Sequence, residues 1–501
     1  MAEITLKRLV WRQIRILALV PIFLAIVTQL GHAQSPASFS AMFDQPNLTA
    51  LPGQNVAQQL MSQSINNFCP TVSGITTPTA AQKDLGLLCS AMIGNALVVQ
   101  DQPNPQGVNL PRTLGLDAGG LNSALSQLNG GTELAVPTSQ ASIVQTTQTS
   151  RQNGAIEKRL QELRDWTTGT AVAGVVPPRT GQVASLGTLE PVGQTLLAQN
   201  QPLAFTYSTG RLGVFANGFG QFGSRDLTSS VNGYSFNNAG FVAGADYRIT
   251  PQLVAGLAFG YSQSNTNFDT SAVSAPGQFL SDNLFQGNVY ATYSVTDAFY
   301  LNGIALFGGG NNNSQRHIVL PNTVADLAGV RIATGSFGSQ IQGMTVAGGY
   351  DLPFGPLVVT PILRFLYQHT GVDAFNEEGA LGADLRYGSS SVNTVLTFLG
   401  ADAQYAMSTA FGPVYPIARF HWAHQYSPGN TAVSVGYSND PTLLSNFILP
   451  GAEESRNYFD LGIGVSLPLS ANSSAFVNYD SILGLSHTTY NSFTAGIRLT
   501  F

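Results

Sequence analysis

From about Arg211 to Phe501 the sequence repeats one pattern some twelve times, from "RLGVFANGFGQFG" at the start to "FTAGIRLTF" at the end. In each run the side chains alternate between apolar and polar. In the final run Phe493, Ala495, Ile497, Leu499 and Phe501 share one parity, and Ser492, Thr494, Gly496, Arg498 and Thr500 share the other. In the third, Leu253, Ala255, Leu257, Phe259 and Tyr261 oppose Gly256, Gly260 and Ser262; in the tenth, Phe459, Leu461, Ile463, Val465 and Leu467 oppose Asp460, Gly462, Gly464 and Ser466. The fifth run is blurred, with apolar residues on both parities. Successive side chains of a strand point to opposite faces, so each run reads as a strand with one oily and one wet face. A soluble half-buried sheet has such strands, and so does a membrane barrel with lipid outside and water inside.

Charge and loop lengths separate the two. Only 10% of the 501 residues are charged, against roughly 25% in an ordinary soluble domain. Lysine occurs at Lys7, Lys83 and Lys158 and nowhere in the repeating half. A surface in contact with lipid has no need of charge, and no late segment has the 18 consecutive apolar residues of a membrane helix, which leaves a β-barrel. Connections after the even runs are short, as at Thr250-Pro251, Thr296-Asp297 and Ser470-Ala471. Those after the first five odd runs are long and polar: about 224–238, 263–281, 309–338, 369–391 and 427–456. Tight turns at one end and long loops at the other are the habit of outer-membrane barrels. Tyr247, Tyr261, Tyr290, Tyr293, Tyr367, Tyr405 and Tyr426 lie near run ends, where interfacial aromatic girdles are expected. The fold class predicted is a transmembrane β-barrel of about twelve antiparallel strands, the last pairing with the first, behind a small, mostly helical N-terminal segment. The net charge of −6 argues against nucleic-acid binding.

The first 33 residues read as a secretion signal: basic Lys7, Arg8, Arg12 and Arg15, an apolar core from Ile16 to Val27, and a small-residue site with cleavage after Ala33. An uncleaved anchor is the alternative, disfavoured by Pro21 and the short core. Two cysteines, Cys69 and Cys89, follow an export signal and suggest one structural disulfide rather than a redox-active pair.

Residues from about 205 to 501 resemble the translocator domain of autotransporters, the type V secretion proteins. The resemblance lies in the twelve-run count and in "VDAFNEEGA" (372–380), "FLGADAQY" (398–405), "ARFHWAHQY" (418–426), "SNDPTLLSNF" (438–447), "NYFDLGIGVS" (457–466) and the terminal "AGIRLTF". It implies a barrel in outer-membrane lipid, delivered by periplasmic chaperones to the barrel-assembly machinery. That machinery reads the terminal aromatic strand, here Phe493, Ile497, Leu499 and Phe501. It also implies a passenger carried to the cell surface and a helix left in the pore. One departure is His424-Gln425, where the family often has His-Glu.

On this reading residues 1–33 are the signal, 34–129 a short passenger, 130–204 a helical and Pro/Gly-rich connector, and 205–501 the barrel. In the passenger, Val56, Leu60, Ser64 and Phe68 mark one helix face; Leu85, Leu88, Met92 and Val99 mark another; Leu121, Leu125 and Leu128 mark a third. "CPTVSGITTPT" reads as the loop between the first two. In the connector, "GAIEKRLQELRDW" aligns Ile156, Leu160 and Leu163 and is the best candidate for the pore helix; because the stretch 167–202 separates it from the first strand, the alternatives are a short surface helix with the plug supplied by the 167–205 region or by nothing.

A search for chemistry finds no nucleophile elbow, no H-E-x-x-H and no esterase "GDSL" run. The passenger has no histidine, so it cannot hold a Ser-His-Asp triad. His421 and His424 fall on opposite faces of a strand and cannot share a metal. Glu377-Glu378 reads as a solvated turn and "GGGNNN" (308–313) as a flexible outside loop. Some autotransporters cut their pore helix at an Asn, and Asn153-Gly154 is suitably placed, but the favoured reading is an ordinary flexible or turn dipeptide. No catalytic residue, cofactor or metal is assigned. The expected function is an outer-membrane autotransporter that displays its passenger without a chemical reaction. The alternatives are a passive, porin-like barrel with a periplasmic N-terminal segment and, less favoured, a surface enzyme.

Overall fold

The computed structural model describes residues 48–72, 74–101, 113–129, 154, 156–157, 159–160, 211–226, 233–269, 277–321, 327, 329–410, 412–427, 432–449, 455–470 and 472–501. The signal with Ala33, the residue Asn153 and most of the connector lie outside these residues.

Twelve long strands form the barrel: β1 (Leu212–Arg225), β2 (Tyr234–Arg248), β3 (Leu253–Phe268), β4 (Phe279–Ser294), β5 (Phe299–Leu320), β6 (Gly329–Tyr350), β8 (Leu357–Val372), β11 (Ser390–Tyr405), β13 (Gly412–Gln425), β16 (Asn457–Ser470), β17 (Ser473–Leu483) and β18 (Thr488–Thr500). Two three-residue strands, β7 (Leu352–Phe354) and β12 (Met407–Thr409), extend the tight turns. Each long strand pairs antiparallel with the next, and β18 returns to β1 in a register running from Gly213↔Thr500 to Arg225↔Thr488. Beyond it, Phe501 and Leu212 exchange backbone hydrogen bonds of 2.8 and 3.3 Å. The sheet is therefore closed and has no edge to leave unpaired in lipid.

Closure turns the alternation inside out. On β18, Ile497 is 55% exposed and faces outward, whereas Ser492 is fully buried and Arg498 nearly so, both facing the lumen. On β3, Leu257 is outside and Ser262 inside. The blur in the fifth run also has a cause: Tyr300, Ile304 and Leu306 are buried inside while Leu301 and Phe307 face out. Ile304 packs on the contents of the lumen. Among the tyrosines expected in girdles, Tyr247, Tyr293, Tyr405 and Tyr426 are exposed, but Tyr290 turns inward, where its hydroxyl donates to Asp246 at 3.2 Å.

Short connections (249–252, 295–298, 355–356, 471–472) lie at one end and the longer ones (226–233, 269–278, 321–328, 373–389, 426–456) at the other. The long loops are more structured than expected. β5 and β6 keep pairing to Leu320↔Gly329, so "GGGNNN" is strand rather than flexible loop. There Ser336 donates to Asn313 at 2.8 Å and Asn312 to Ser339 at 3.1 Å. Pairing on both sides outweighs the poor strand propensity of glycine and asparagine. The loops 373–389 and 426–456 contribute a second sheet of β9 (Phe375–Asn376), β10 (Leu385–Tyr387), β14 (Val433–Tyr437) and β15 (Phe447–Leu449), in the order β15-β14-β10-β9.

Among the described residues up to Asn129, three α-helices precede the barrel: α1 (Val56–Val72), α2 (Ala80–Val99) and α3 (Ala118–Leu128). Thr79 and Gln82 form a capping box on α2, and the Asp117 carboxylate caps α3 through the Gly120 amide at 2.7 Å. Cys69 and Cys89 are disulfide-bonded, joining α1 to α2 with Cα atoms 5.5 Å apart. The face of α1 is offset from the expected one. Ala57, Met61, Ile65, Phe68 and Val72 are buried, and Val56 is exposed. Rows spaced strictly by four drift around a helix of 3.6 residues per turn; steps of four and three stay on one side. The helix also runs through Pro70 to Val72, four residues into the expected loop, with Thr71 Oγ1 donating to the Phe68 carbonyl at 2.6 Å.

Closure predicts a contrast between glycines. A Cβ at Gly496 would sit 2.0 Å from Asn217 Oδ1 and 2.4 Å from the Phe476 ring; at outward Gly303 it would meet nothing within 4 Å. Gly496→Val should weaken or abolish the compact band that the unboiled barrel gives on a denaturing gel, and Gly303→Val should preserve it.

Candidate functional site: an occupied lumen beneath a docked cap

The lumen holds part of the connector. Gly154, Ile156, Glu157, Arg159 and Leu160 are helical. Ile156 and Leu160 are fully buried against the lumenal Phe215, Phe219, Val242, Val254, Tyr290 and Ile304. Gly213, on the first strand, and Asp246, on the second, lie near the short-turn end of their strands, which places the helical stretch toward that end.

Charge fixes its orientation. Arg159 donates from Nε and Nη2 to both Asp246 oxygens, at 2.7 and 2.8 Å, with both side chains about 2% exposed. Its guanidinium also lies 5.8 Å from the centre of the Phe215 ring. Glu157 reaches the opposite wall and pairs with Arg364, whose guanidinium stacks 3.8 Å over the Phe398 ring. Gly213 leaves room for this arrangement, because a Cβ there would lie 2.2 Å from Arg159 Nη2. The described residues of the candidate pore helix therefore lie in the pore, pinned to two facing walls, while Leu163 lies outside the described residues.

A second contact region lies at the long-loop end. There α1, α2 and α3 share one core with barrel and loop residues, including Leu280, Ile318, Phe337, Phe375, Tyr387, Tyr437 and Leu449. Phe68 meets Tyr437 at a ring separation of 5.0 Å, and Phe375 stacks between Phe337 and Tyr387 at 4.3 and 4.7 Å. Arg331 on β6 pairs with Asp84 on α2. The same carboxylate accepts from the Gly382 amide at 2.9 Å, and a Cβ on Gly382 would fall 2.3 Å from the backbone nitrogen of Leu85. Backbone thus meets backbone where the helix docks.

Glu377 is not the solvated turn residue its neighbourhood suggests. It is 3% exposed and paired with Arg316, accepting from Nε at 3.0 Å and also from the Leu385 amide and the Tyr387 hydroxyl. Arg316 donates further to the carbonyls of Gln127 on α3 and Ala383, at 2.7 and 2.8 Å. Glu378 uses its backbone to bridge Thr334. The usable signal was the arginines: in so lightly charged a chain, an acidic pair in one loop and Arg316 and Arg331 in another suggest partners.

His421 and His424 do occupy opposite faces. His421 Nε2 lies inside, 2.9 Å from Asp402, and His424 lies outside beside Asn457. Among the described residues no group of three or more His, Cys, Asp or Glu is arranged to hold a metal.

The lumenal pair makes a conductance prediction. Removing one partner of a buried ion pair costs about 3–5 kcal/mol, and removing both costs far less. Asp246→Ala should therefore loosen the helix and raise single-channel conductance in planar bilayers, whereas the Arg159→Met/Asp246→Leu pair should stay close to the parent. Conductance unchanged by Asp246→Ala would show that the pair does not hold the helix.

The sequence is similar to parts of known outer-membrane proteins. The chain is 22% identical over 297 residues to outer membrane protein B of Rickettsia prowazekii, covering 58% of this chain and 17% of that protein. It is 21% identical over 281 residues to outer membrane protein A of Rickettsia conorii, covering 55% and 13%. The chain thus matches only a small part of these relatives' length. Among solved structures, the translocator domain of the autotransporter NalP from Neisseria meningitidis superposes with a TM-score of 0.46 at 15% identity, covering 59% of this chain and 90% of that one. The β domain of the Bordetella autotransporter BrkA gives 0.42 at 17%, covering 58% and 100%. The autotransporter β-domain family matches residues 214–480, more than half of the sequence and most of the barrel. This chain belongs to the autotransporter β-domain family, and its barrel is an outer-membrane one.

Proposed function

We propose that this protein carries its own N-terminal segment through its barrel and keeps it on the cell surface as a cap docked over the pore. One observation carries the reading: the chain lies over the long-loop end at α3, where Gln127 contacts β5, and lies inside the lumen at Ile156. In outer-membrane barrels the long loops face outward. The helices are the transported segment, and the helical stretch at 154–160 is the part that stays behind. Insertion uses the barrel-assembly machinery, which reads Phe493, Ile497, Leu499 and Phe501 on the terminal strand, and periplasmic chaperones deliver the chain. The work is transport and display, without a chemical reaction.

A passive porin-like barrel with a periplasmic N-terminal segment is the other reading. An occupied lumen and helices packed on the long loops speak against it. An epitope inserted between α2 and α3 discriminates: antibody should label it on intact cells, and labelling that required a permeabilised outer membrane would refute display.

Docking makes two further predictions. Asp84→Ala leaves Arg331 without its carboxylate, at a cost of about 3 kcal/mol, or on the order of 100-fold in docked population. The helices of this variant should become protease-sensitive on intact cells while the barrel stays folded. The second concerns acid. Burial by itself would raise the Asp440 carboxyl, but hydrogen bonds from the Thr442 hydroxyl and amide and from the Ser445 amide outweigh it and hold the group below its usual 3.8. A depressed carboxyl stabilises above its unfolded value, and that contribution is lost as pH falls through the folded value. The loop carrying Ser445, whose carbonyl accepts from Ser64 on α1, should loosen as pH falls below 3.8. Protease sensitivity of the helices should rise over that range in the parent and should lack this component in Asp440→Asn.

A further inference from the structure

The outer face of the barrel carries a bowl that neither transport nor capping uses. Strand register lines up Phe307, Gln342 and His369 in one row across β5, β6 and β8. The next row toward the long-loop end is Gly309, Gln340, Gly371 and Ser391, and beyond it the Asp373 carboxylate lies across Gly338. Two glycines in the middle row leave a floor without side chains. A Cβ at Gly371 would find its nearest neighbour, His369 Nε2, 3.9 Å away. The cavity measures about 520 Å³ and is lined on its rim by Gln340, Gln342, His369, Asp373 and Ser391, with Phe307 at its lower lip.

Its height on the wall matters. The row below consists of Ala305, Met344, Tyr367 and Val395, continuous with the exposed Leu301, Val346, Leu363 and Phe365. That is the apolar belt, closed at this level by a tyrosine. Above the bowl the outward residues are Asn311, Gly338 and Asp373. The bowl therefore sits at the outer boundary between hydrocarbon and headgroups.

We propose that the bowl binds a sugar ring of a membrane glycolipid. Side-chain carboxamides at Gln340 and Gln342 offer both donors and acceptors, and among the described residues neither is engaged by another side chain. The Asp373 carboxylate can accept from two neighbouring hydroxyls. Phe307, 62% exposed, presents a ring to the apolar face of a sugar. Among the described residues the rim has a carboxylate and no lysine or arginine, which suits a hydroxylated ring better than a bare phosphate. Attached acyl chains would run down over Met344, Val346 and Phe365, which favours a lipid-borne sugar over a soluble one.

The test uses the full chain extracted from outer membranes in mild detergent, with bound lipid quantified by mass spectrometry. Gly371→Phe fills the floor from open space, so the gel shift between boiled and unboiled protein should be unchanged. Glycolipid retention should fall at least roughly tenfold. A second variant, Gln340→Ala/Asp373→Ala, should lose retention without filling the bowl. Reconstituted parent protein should bind vesicles containing the glycolipid over phospholipid vesicles, and its soluble saccharide only weakly. Equal retention by the parent and both variants overturns the assignment, as does binding of the free saccharide with none of the lipid. Surface labelling of the cap is independent of either result, so this site and the display reading fail separately.

Discussion

Everything in this molecule follows from the pairing of β18 with β1. In hydrocarbon an unpaired backbone amide or carbonyl costs several kcal/mol, so a sheet that crosses a bilayer must close on itself. Once it closes, each strand has one lipid face and one lumenal face, and Phe493 and Ile497 are outside for the same reason that Ser492 and Thr494 are inside. A closed ring of twelve strands is also too wide to be filled by its own short side chains, unlike an eight-stranded one. Its lumen is lined by groups such as Gln221, Asn238, Gln286 and Asn312, all buried, and part of it is filled by another segment. The connector stretch around Ile156 and Leu160 is a consequence of closure at this strand number.

The low charge content acquires a second meaning at that point. Absence from the lipid face was expected; concentration at a few inner joints was not. Arg159–Asp246 and Arg364–Glu157 hold the helical stretch, Arg419–Asp480 links neighbouring walls, Arg316–Glu377 joins β5 to the loop after β8, and Arg331–Asp84 joins β6 to α2. All five cations are arginine, whose planar fork meets a carboxylate with two parallel bonds and stays charged when buried. Such pairs add little net stability over apolar replacements of similar shape. Their value here is position. Ile156 and Leu160 could slide along an apolar wall, but Arg159 can reach Asp246 in only one register, where Gly213 leaves space for it.

The barrel was legible because it is a local pattern repeated many times. Alternation with period two, and loop lengths that differ between the ends, place all twelve strands before any contact is known. The cap was legible only in pieces. The helices of α2 and α3 announced themselves by Leu85, Leu88, Leu121 and Leu125, all buried. Their partners could not be read, since Arg331 and Gly382, which meet Asp84 on α2, lie 247 and 298 residues away and no periodicity links them. Glu377 shows the same limit: a carboxylate in a polar loop looks solvated until Arg316 arrives from strand β5. "GGGNNN" misled in the opposite direction, because flexible composition was taken for flexible structure where two neighbouring strands supply the pairing.

The shared core at the long-loop end constrains the order of events. The second sheet has strands of two to five residues, too short and too few to stand alone. The helices form an equally small unit, stapled by the Cys69–Cys89 bridge, with an apolar face that needs covering. Each half therefore completes the other: Met61 and Phe68 cover Tyr437, and Asp84 fills the notch over Gly382. Neither can reach its final packing until both are on the same side of the membrane. On the display reading, the helices gain nothing from folding before they have crossed, and the loops offer them a surface as soon as they emerge. The apolar burial released at that moment lies on one side of the membrane only, and it opposes backward movement of the chain through the lumen without any external source of energy.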